Sequence, residues 1–233
     1  MQYIFDGGDP TAPPFVINGS LDRFHPGIPT PPPPPPPPPP ATVRGTRFII
    51  YESQPRDENG KCRTELRLLD PTANKKMFLV DPDGSEMWSA VEFYLPTAEW
   101  DTSFPNKILL TQWHHPSAKG FEGKMPPLQV FMWRKNLYVR ECHGTYVDLY
   151  KYPAPMDAWN RLVVHVKWDY RGAGLLKMWL NGKLVVSYSG KMGYKEAPGA
   201  YASVGLYCPE PAKGLDHACV YGLWERSIEP IAP

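Results

Sequence analysis

Apolar and polar residues alternate along most of the chain after residue 41. Stretches such as TRFIIYES, WSAVEFYLP, LQVFMWRKNLYVREC and AYASVGLYC are rich in β-branched and aromatic residues, and clusters of Pro, Gly, Asp and Asn separate them. Helical periodicity is nearly absent. Many strands with turn signals between them predict an all-β sandwich, jelly roll or barrel.

Two short polar segments predict hairpins. Asn181-Gly182 lies between two apolar runs and predicts a type I′ turn that pairs Leu175–Leu180 with Lys183–Tyr188. The segment WRKNLYV suggests a second hairpin around Lys135-Asn136. We therefore expect antiparallel strands joined by short loops.

The front of the chain differs in composition from the rest. Residues 31–40 are ten consecutive prolines, which favour polyproline II and span roughly 31 Å at about 3.1 Å per residue. This divides the chain into an N-terminal peptide (1–30), a polyproline linker (31–40) and a main domain (41–233). We expect the peptide to make few contacts with the main domain and to attach it to other protein subunits. A ligand for a proline-binding module is the alternative, although the flanks lack basic residues.

Composition excludes several classes of partner. With 25 basic and 24 acidic residues among 233, the formal net charge is +1, which favours neither nucleic acid nor an anionic membrane. The N-terminus lacks the features of a secretory signal, and no run approaches the ~18–20 apolar residues of a membrane span. Four widely spaced cysteines argue against zinc; we expect reduced thiols, with a Cys208–Cys219 bridge as the alternative.

Several predicted strands carry a polar face. Two-residue alternation gives these same-face groups: Arg63, Glu65 and Arg67; Gln112 and His114 with Leu110; Tyr201, Ser203, Gly205 and Tyr207; His165 and Lys167. A solvated outer face is the simplest explanation. Solvated faces usually carry Lys, Glu, Thr and Ser. The faces of this chain instead carry Arg, Glu, Gln, His and Tyr, which are residue types that bind carboxylates and transfer protons. A ligand-binding groove is the competing interpretation, and the pattern alone does not decide between them.

The order of three motifs resembles a known family. RTEL (63–66), QWH (112–114) and YASVGLY (201–207) resemble the R-[ST]-E-L, Q-x-H and Y-x5-Y signature of jelly-roll alginate lyases. Residues 159–194, followed by YASVGLY, are similar to the heparin lyase I and glucuronan lyase group. The resemblance covers residues 45–226. It implies a β-jelly roll of two antiparallel sheets that binds a uronate-containing acidic polysaccharide, such as a capsule or exopolysaccharide, and cleaves it by β-elimination.

The resemblance also implies catalytic roles. Arg63 and Gln112 match positions that neutralise the substrate carboxylate, which stabilises the enolate-like charge of the reaction. His114 matches a neutraliser or a base. Tyr201 matches the phenol that protonates the leaving oxygen and, for some sugar epimers, removes the α proton. We expect Arg63 and His114, as cationic neighbours, to favour the ionised form of this phenol.

Five further residues are assigned to substrate binding: Arg67, Tyr207, Glu65, His165 and Lys167. Glu65 is expected to orient an arginine rather than to react. His165 is also expected to be a hydrogen-bonded sheet residue rather than a catalyst.

Other candidates have a structural interpretation beside the functional one. Trp133 and Trp179 are candidates for stacking on sugar rings, although core aromatics are commoner. The chemistry requires no cofactor. DPDG at 81–84 could offer oxygens to a structural calcium ion, but this sequence is first of all typical of a turn.

The chain also departs from the family pattern. Ser203 stands where members of the alginate type tend to carry lysine, and a signal peptide is missing although such lyases are normally exported. A virion-borne depolymerase released by lysis would act extracellularly without a signal. The alternative is a non-catalytic carbohydrate-binding or structural decoration protein on the same fold. A glycoside hydrolase ranks last, because only Glu65 is a clear carboxylate on the polar faces.

Overall fold

A computed structural model describes residues 3–5, 15–18, 24–26, 46–50, 61–70, 78–116, 124–195, 199–209 and 217–233. The described residues form β-strands and one short 3₁₀ helix, Thr97–Glu99. The strands in chain order are β1 (Tyr3–Phe5), β2 (Phe15–Asn18), β3 (Phe24–Pro26), β4 (Thr46–Ile50), β5 (Cys62–Leu68), β6 (Glu86–Tyr94), β7 (Ile108–His114), β8 (Leu128–Trp133), β9 (Asn136–Cys142), β10 (Tyr146–Pro153), β11 (Trp159–Lys167), β12 (Asp169–Leu180), β13 (Lys183–Met192), β14 (Tyr201–Cys208) and β15 (His217–Ser227).

The strands form two antiparallel sheets. Sheet A has the order β13-β12-β11-β6-β15-β4-β3, and β1 also pairs with β15. Sheet B has the order β10-β9-β8-β7-β14-β5-β2. Neighbouring strands within a sheet are often distant in sequence, as the crossing connections of a jelly roll require. The predicted all-β jelly-roll sandwich is confirmed.

The two sheets pack on one large apolar core. Val164 and Met178 of sheet A and Leu66 and Val204 of sheet B are among its fully buried members. The Tyr221 hydroxyl donates a hydrogen bond across this core to a backbone carbonyl of β7 at 2.7 Å. Burial of the inner faces leaves the outer face of each sheet for other interactions.

The sequence located both hairpins. β12 and β13 join at Asn181-Gly182, whose φ angles of 52° and 79° are both positive, as a type I′ turn requires. The turn between β8 and β9 lies at Arg134 and Lys135, one residue earlier than predicted, because Asn136 already pairs within β9.

A β-bulge changes the face of one residue in β7. The pairing of β7 with β8 shifts between Leu109 and Thr111, so Leu110 packs in the main core. Gln112 and His114 lie on the outer face instead. The prediction that Leu110 shares their face is wrong, because strict alternation fails across the extra residue of a bulge.

Three segments of the N-terminal peptide pair with the main domain. β1 pairs with β15 and β3 with β4 in sheet A, while β2 pairs with β5 in sheet B. The expectation of few contacts is therefore wrong. The physical reason for the observed pairing is that sheet edges carry unpaired N–H and C=O groups. Added strands supply hydrogen-bond partners for these groups. The polyproline linker, residues 31–40, lies outside the described residues, and attachment to other subunits stays a prediction.

The four cysteines are buried and free. Cys208 and Cys219 are thus thiols in this fold, as the default interpretation predicted. In the portion of the chain that the structure describes, no helix is long and apolar enough to cross a membrane.

Deletion of residues 1–40 should lower the free energy of unfolding by about 1–3 kcal/mol. Each lost strand hydrogen bond contributes roughly 1 kcal/mol, and the ordering entropy of the peptide offsets part of this. Urea denaturation of the full and the shortened chain measures the difference. Identical denaturation midpoints would show that the three short strands do not stabilise the sheets.

Candidate active site

The outer face of sheet B forms a groove of about 890 Å³. Side chains from β5, β7, β8, β9 and β14 line it. Among the described residues, the lining contains no carboxylate but six lysines and arginines: Lys61, Arg63, Arg67, Lys107, Lys124 and Arg140. A cleft lined by one sign of charge concentrates ligands of the opposite sign. The groove therefore suits an anion, although the whole chain carries a net charge of only +1.

Strand pairing brings the four predicted catalytic residues into this groove. Arg63 lies on β5, Gln112 and His114 lie on β7, and Tyr201 lies on β14. The register sets Tyr201 opposite His114 and Ser203 opposite Gln112. The His114 and Tyr201 ring centroids are 6.1 Å apart. One sugar unit can therefore contact both rings.

A buried carboxylate lies beneath the groove. Glu65 is 0% exposed and accepts a hydrogen bond from Gln112 Nε2 at 2.6 Å. Its Oε2 lies 3.5 Å from an Arg67 nitrogen and 3.9 Å from an Arg63 nitrogen. A carboxylate removed from water needs such partners. Glu65 does not line the groove, so its assignment to substrate binding is corrected. Its contacts agree with the expectation that it orients an arginine, and they extend to both arginines and to Gln112.

Both arginines are also held against aromatic rings. The Arg67 guanidinium lies 5.1 Å from the Tyr201 ring centroid, and its Nε donates to Ser203 Oγ at 3.2 Å. The Arg63 guanidinium lies 4.3 Å from the Tyr207 centroid. Stacking fixes the plane of a guanidinium and therefore the direction of its N–H groups. Arg67 and Tyr207 thus lie in the groove, as predicted.

The environment of His114 determines its protonation. Its Nδ1 lies 2.7 Å from the carbonyl oxygen of His115. A carbonyl only accepts, so Nδ1 carries the proton, and Nε2 of the neutral ring has a free lone pair. Burial lowers the pKa of His114 to about 4, and the positive charges of Arg67 and Arg63 act in the same direction. The imidazole is therefore neutral at neutral pH.

The Tyr201 phenol is protonated at neutral pH. Burial, the largest effect, raises its pKa above the ordinary value; Arg67 and Arg63 lower the pKa, and Glu65 raises it. The expected effect of Arg63 is therefore present, but that of His114 is not, and the net shift of the pKa is upward. Desolvation outweighs the arginines, and a neutral His114 contributes no positive charge.

Two predicted substrate-binding residues lie elsewhere. His165 and Lys167 belong to β11 of sheet A. The His165 ring stacks on Trp88 at 4.1 Å, and its Nε2 lies 2.6 Å from Glu86 Oε1. These residues do share a face, but alternation could not show which sheet carries it. Their assignment to the substrate groove is therefore corrected.

Sequence reasoning missed two groove residues, Gln129 of β8 and Arg140 of β9. Gln129 is opposite Gln112 in the register and accepts a hydrogen bond from Lys107 Nζ at 3.0 Å. Arg140 extends the basic lining and forms a two-bond ion pair with Asp148. A single glutamine within the apolar run LQVFMW was the available signal for this part of the groove.

The two candidate tryptophans have different locations. Trp133 is 40% exposed and lines the groove, with its Nε1 donating to the Pro105 carbonyl oxygen at 2.8 Å. Trp179 packs near Trp88 on sheet A, with ring centroids 5.7 Å apart. Only the first of these two rings is therefore placed to contact a ligand in the groove.

The DPDG segment forms a turn. Gly84 has a φ of 86°, Asp81 contacts Arg226, and Asp83 Oδ2 lies 3.2 Å from Arg171. Among the residues with a described structure, no group of three or more His, Cys, Asp and Glu side chains could hold a metal ion. The turn is confirmed; structural calcium stays a prediction that these contacts do not support.

Comparisons with known proteins agree with this geometry. A family model described as polysaccharide lyase matches residues 40–222, while a search of curated proteins finds no match. The endo-β-1,4-glucuronan lyase of the fungus Trichoderma reesei has a similar structure (TM-score 0.66, 15% identity, covering 96% of this chain and 94% of that chain). So do the alginate lyase AlgAT5 of polysaccharide lyase family 7 (0.60, 12%, 90% and 85%) and the family 7 alginate lyase A1-II′ (0.59, 14%, 80% and 78%). At these identities, the likeness to the solved structures shows a shared fold.

Glu65→Gln should lower the free energy of unfolding by about 1–3 kcal/mol, because it removes the charge that two arginines share and presents an amide to Gln112. Glu86→Gln is the matched control: it alters a carboxylate that also binds a neighbour but is half exposed, so stability should hardly change. Urea denaturation measures both variants. Equal effects of the two substitutions would contradict a special role of the buried carboxylate.

Proposed function

The chain belongs to the polysaccharide lyase family, and from this premise we propose that it cleaves a uronate-containing acidic polysaccharide by β-elimination. One observation carries the proposal: a basic groove combines a neutral imidazole, a protonated phenol and an amide flanked by two arginines. β-Elimination next to a carboxylate needs a base, an acid and a neutralising group.

Neutralisation of the substrate carboxylate falls to Gln112, Arg63 and Arg67. Removal of the proton α to a carboxylate builds enolate-like charge, which donors held in place beforehand stabilise without reorganisation. The hydrogen bond to Glu65 fixes the Gln112 amide, and the aromatic contacts fix the guanidinium groups. A substrate carboxylate above Gln112 would supply the negative charge that the two arginines can bind.

Proton transfer falls to His114 and Tyr201. Nε2 of the neutral His114 takes the α proton, and the electron pair of that C–H bond forms a carbon–carbon double bond. The bond from the neighbouring carbon to the glycosidic oxygen breaks, and the Tyr201 hydroxyl protonates that oxygen as it leaves. Burial supports this division of roles, since it keeps the first group unprotonated and the second protonated.

A non-catalytic carbohydrate-binding or decoration protein is the second candidate. It is favoured by Ser203, which stands where related alginate lyases tend to carry lysine and here accepts a hydrogen bond from Arg67. The wider setting also stays a proposal: action on an extracellular capsule or exopolysaccharide, and attachment through residues 1–40 to a larger assembly such as a virion.

Incubation with a panel of polyuronates tests the proposed reaction. Cleavage creates an unsaturated sugar end, and its ultraviolet absorbance should rise with time. Binding of a polyuronate without any absorbance change would reject catalysis and support the decoration function.

Tyr201→Phe should reduce kcat by about 10²–10⁴-fold on the polyuronate that the wild type cleaves, because proton transfer typically contributes this much. The substitution keeps the ring, so folding and polymer binding should persist. Tyr207→Phe is the control on the same strand face and should cost much less, because that ring supports Arg63. Equal turnover by wild type and Tyr201→Phe would remove Tyr201 from the mechanism.

The pH profile should identify His114 as the base. The pKa of His114 is about 4, so kcat/KM should stay level from neutral pH to about 5 and fall tenfold per unit below about 4. The lowered pKa also makes stability decline as the pH falls from the unfolded value of about 6.5. Circular dichroism at each pH must therefore confirm folding. An acid limb near 6.5 in folded protein would contradict the assignment.

A further inference from the structure

A second cavity adjoins the groove. Its volume is about 770 Å³, and Lys124, Met125 and Tyr146 line both it and the groove. It lies between the β9–β10 loop of sheet B and β12 of sheet A. The end of β13 and residues 193–195, which follow β13, also line it. A ligand that fills the groove can therefore continue into this cavity without leaving the surface.

The cavity is basic. Lys124, Arg171, Lys191 and Lys195 come from separate parts of the chain to line it, and none of its described lining residues is a carboxylate. Arg171 is 65% exposed, although it also contacts Asp83. A cavity lined by one sign of charge concentrates ligands of the opposite sign.

The wall of the cavity is held by buried contacts. His143 Nδ1 lies 2.5 Å from an oxygen of Glu141, whose side chain is fully buried. The Tyr194 hydroxyl donates to Cys142 Sγ at 3.1 Å, and the Lys124 ammonium lies 5.1 Å from the Tyr194 ring centroid. These contacts place polar and aromatic groups in fixed positions, as a binding site requires.

We propose that this cavity binds an acidic sugar of the same polymer, next to the units that the groove holds. The inference rests on the proposed function and deepens it: the bound polymer extends beyond the groove into a second binding site. Met125 and Tyr146, 45% and 42% exposed, supply apolar surface at the junction on which a sugar ring can stack. The four cations bind the carboxylate of the distal unit.

A charge-removal variant tests the distal site. The double substitution Arg171→Gln with Lys191→Gln alters two exposed side chains of the cavity. On the polyuronate that the wild type cleaves, kcat/KM should fall about 5–10-fold at low salt, whereas kcat/KM for the shortest oligosaccharide that it cleaves, which the groove alone can hold, should not change. Lys177→Gln with Lys183→Gln removes the same charge elsewhere on β12 and β13 and should leave both values unchanged.

Equal losses on the polymer and on the shortest oligosaccharide that is cleaved, or no loss on the polymer, would overturn the distal site while leaving the proposed function intact. If no polyuronate of the panel is cleaved, equilibrium binding to those polyuronates tests the cavity separately from the lyase activity. Weaker binding by the cavity variant than by the control variant then keeps the cavity as a polymer site and rejects only the lyase activity. Equal binding by both variants, or no binding by the wild type, rejects the cavity proposal.

Discussion

The groove depends on a single buried charge, the carboxylate of Glu65. The contacts of Glu65 with Gln112, Arg63 and Arg67 define the floor of the groove. Glu65 is buried because β5 and β14 pack closely at this point. Gly205 lies opposite Glu65 in the register at a φ of 138°. A Cβ there would lie 2.6 Å from the Glu65 Cα and 2.2 Å from a backbone oxygen of β5. A glycine at this point thus allows the carboxylate to be buried beside β14.

Burial also shifts the pKa values of two neighbouring side chains in opposite directions. Removal from water disfavours the charged form of any side chain, so it lowers the pKa of His114 and raises that of Tyr201. The same dehydrated surface therefore holds an unprotonated imidazole beside a protonated phenol. Enzymes separate acid and base roles by such environmental effects. Arg67 and Arg63 also disfavour imidazolium formation and so act in the same direction as burial on His114.

Much of the site could be predicted because two-residue alternation assigns faces within a strand. It placed Arg63, Arg67 and Tyr201 correctly, and the Asn181-Gly182 turn required positive φ angles that few residues tolerate. Alternation carries no information on which sheet a strand joins, so the outward-facing His165 was assigned to the wrong surface. The bulge at β7 and the strands of the N-terminal peptide depend on pairing partners distant in sequence.

Charge shows the same limit in another form. The near balance of basic and acidic residues concealed their uneven distribution over the surface. On the outer side of sheet A, Arg161 contacts both Glu92 and Glu225, at 3.3 and 3.0 Å, so opposite charges neutralise one another locally. In sheet B, the carboxylate of Glu65 lies beneath the surface and Arg63 and Arg67 lie at it. The local excess of positive charge therefore arises because the acidic group is buried and the basic groups are at the surface. The sequence supplies both signs, and only the fold determines which sign a ligand contacts.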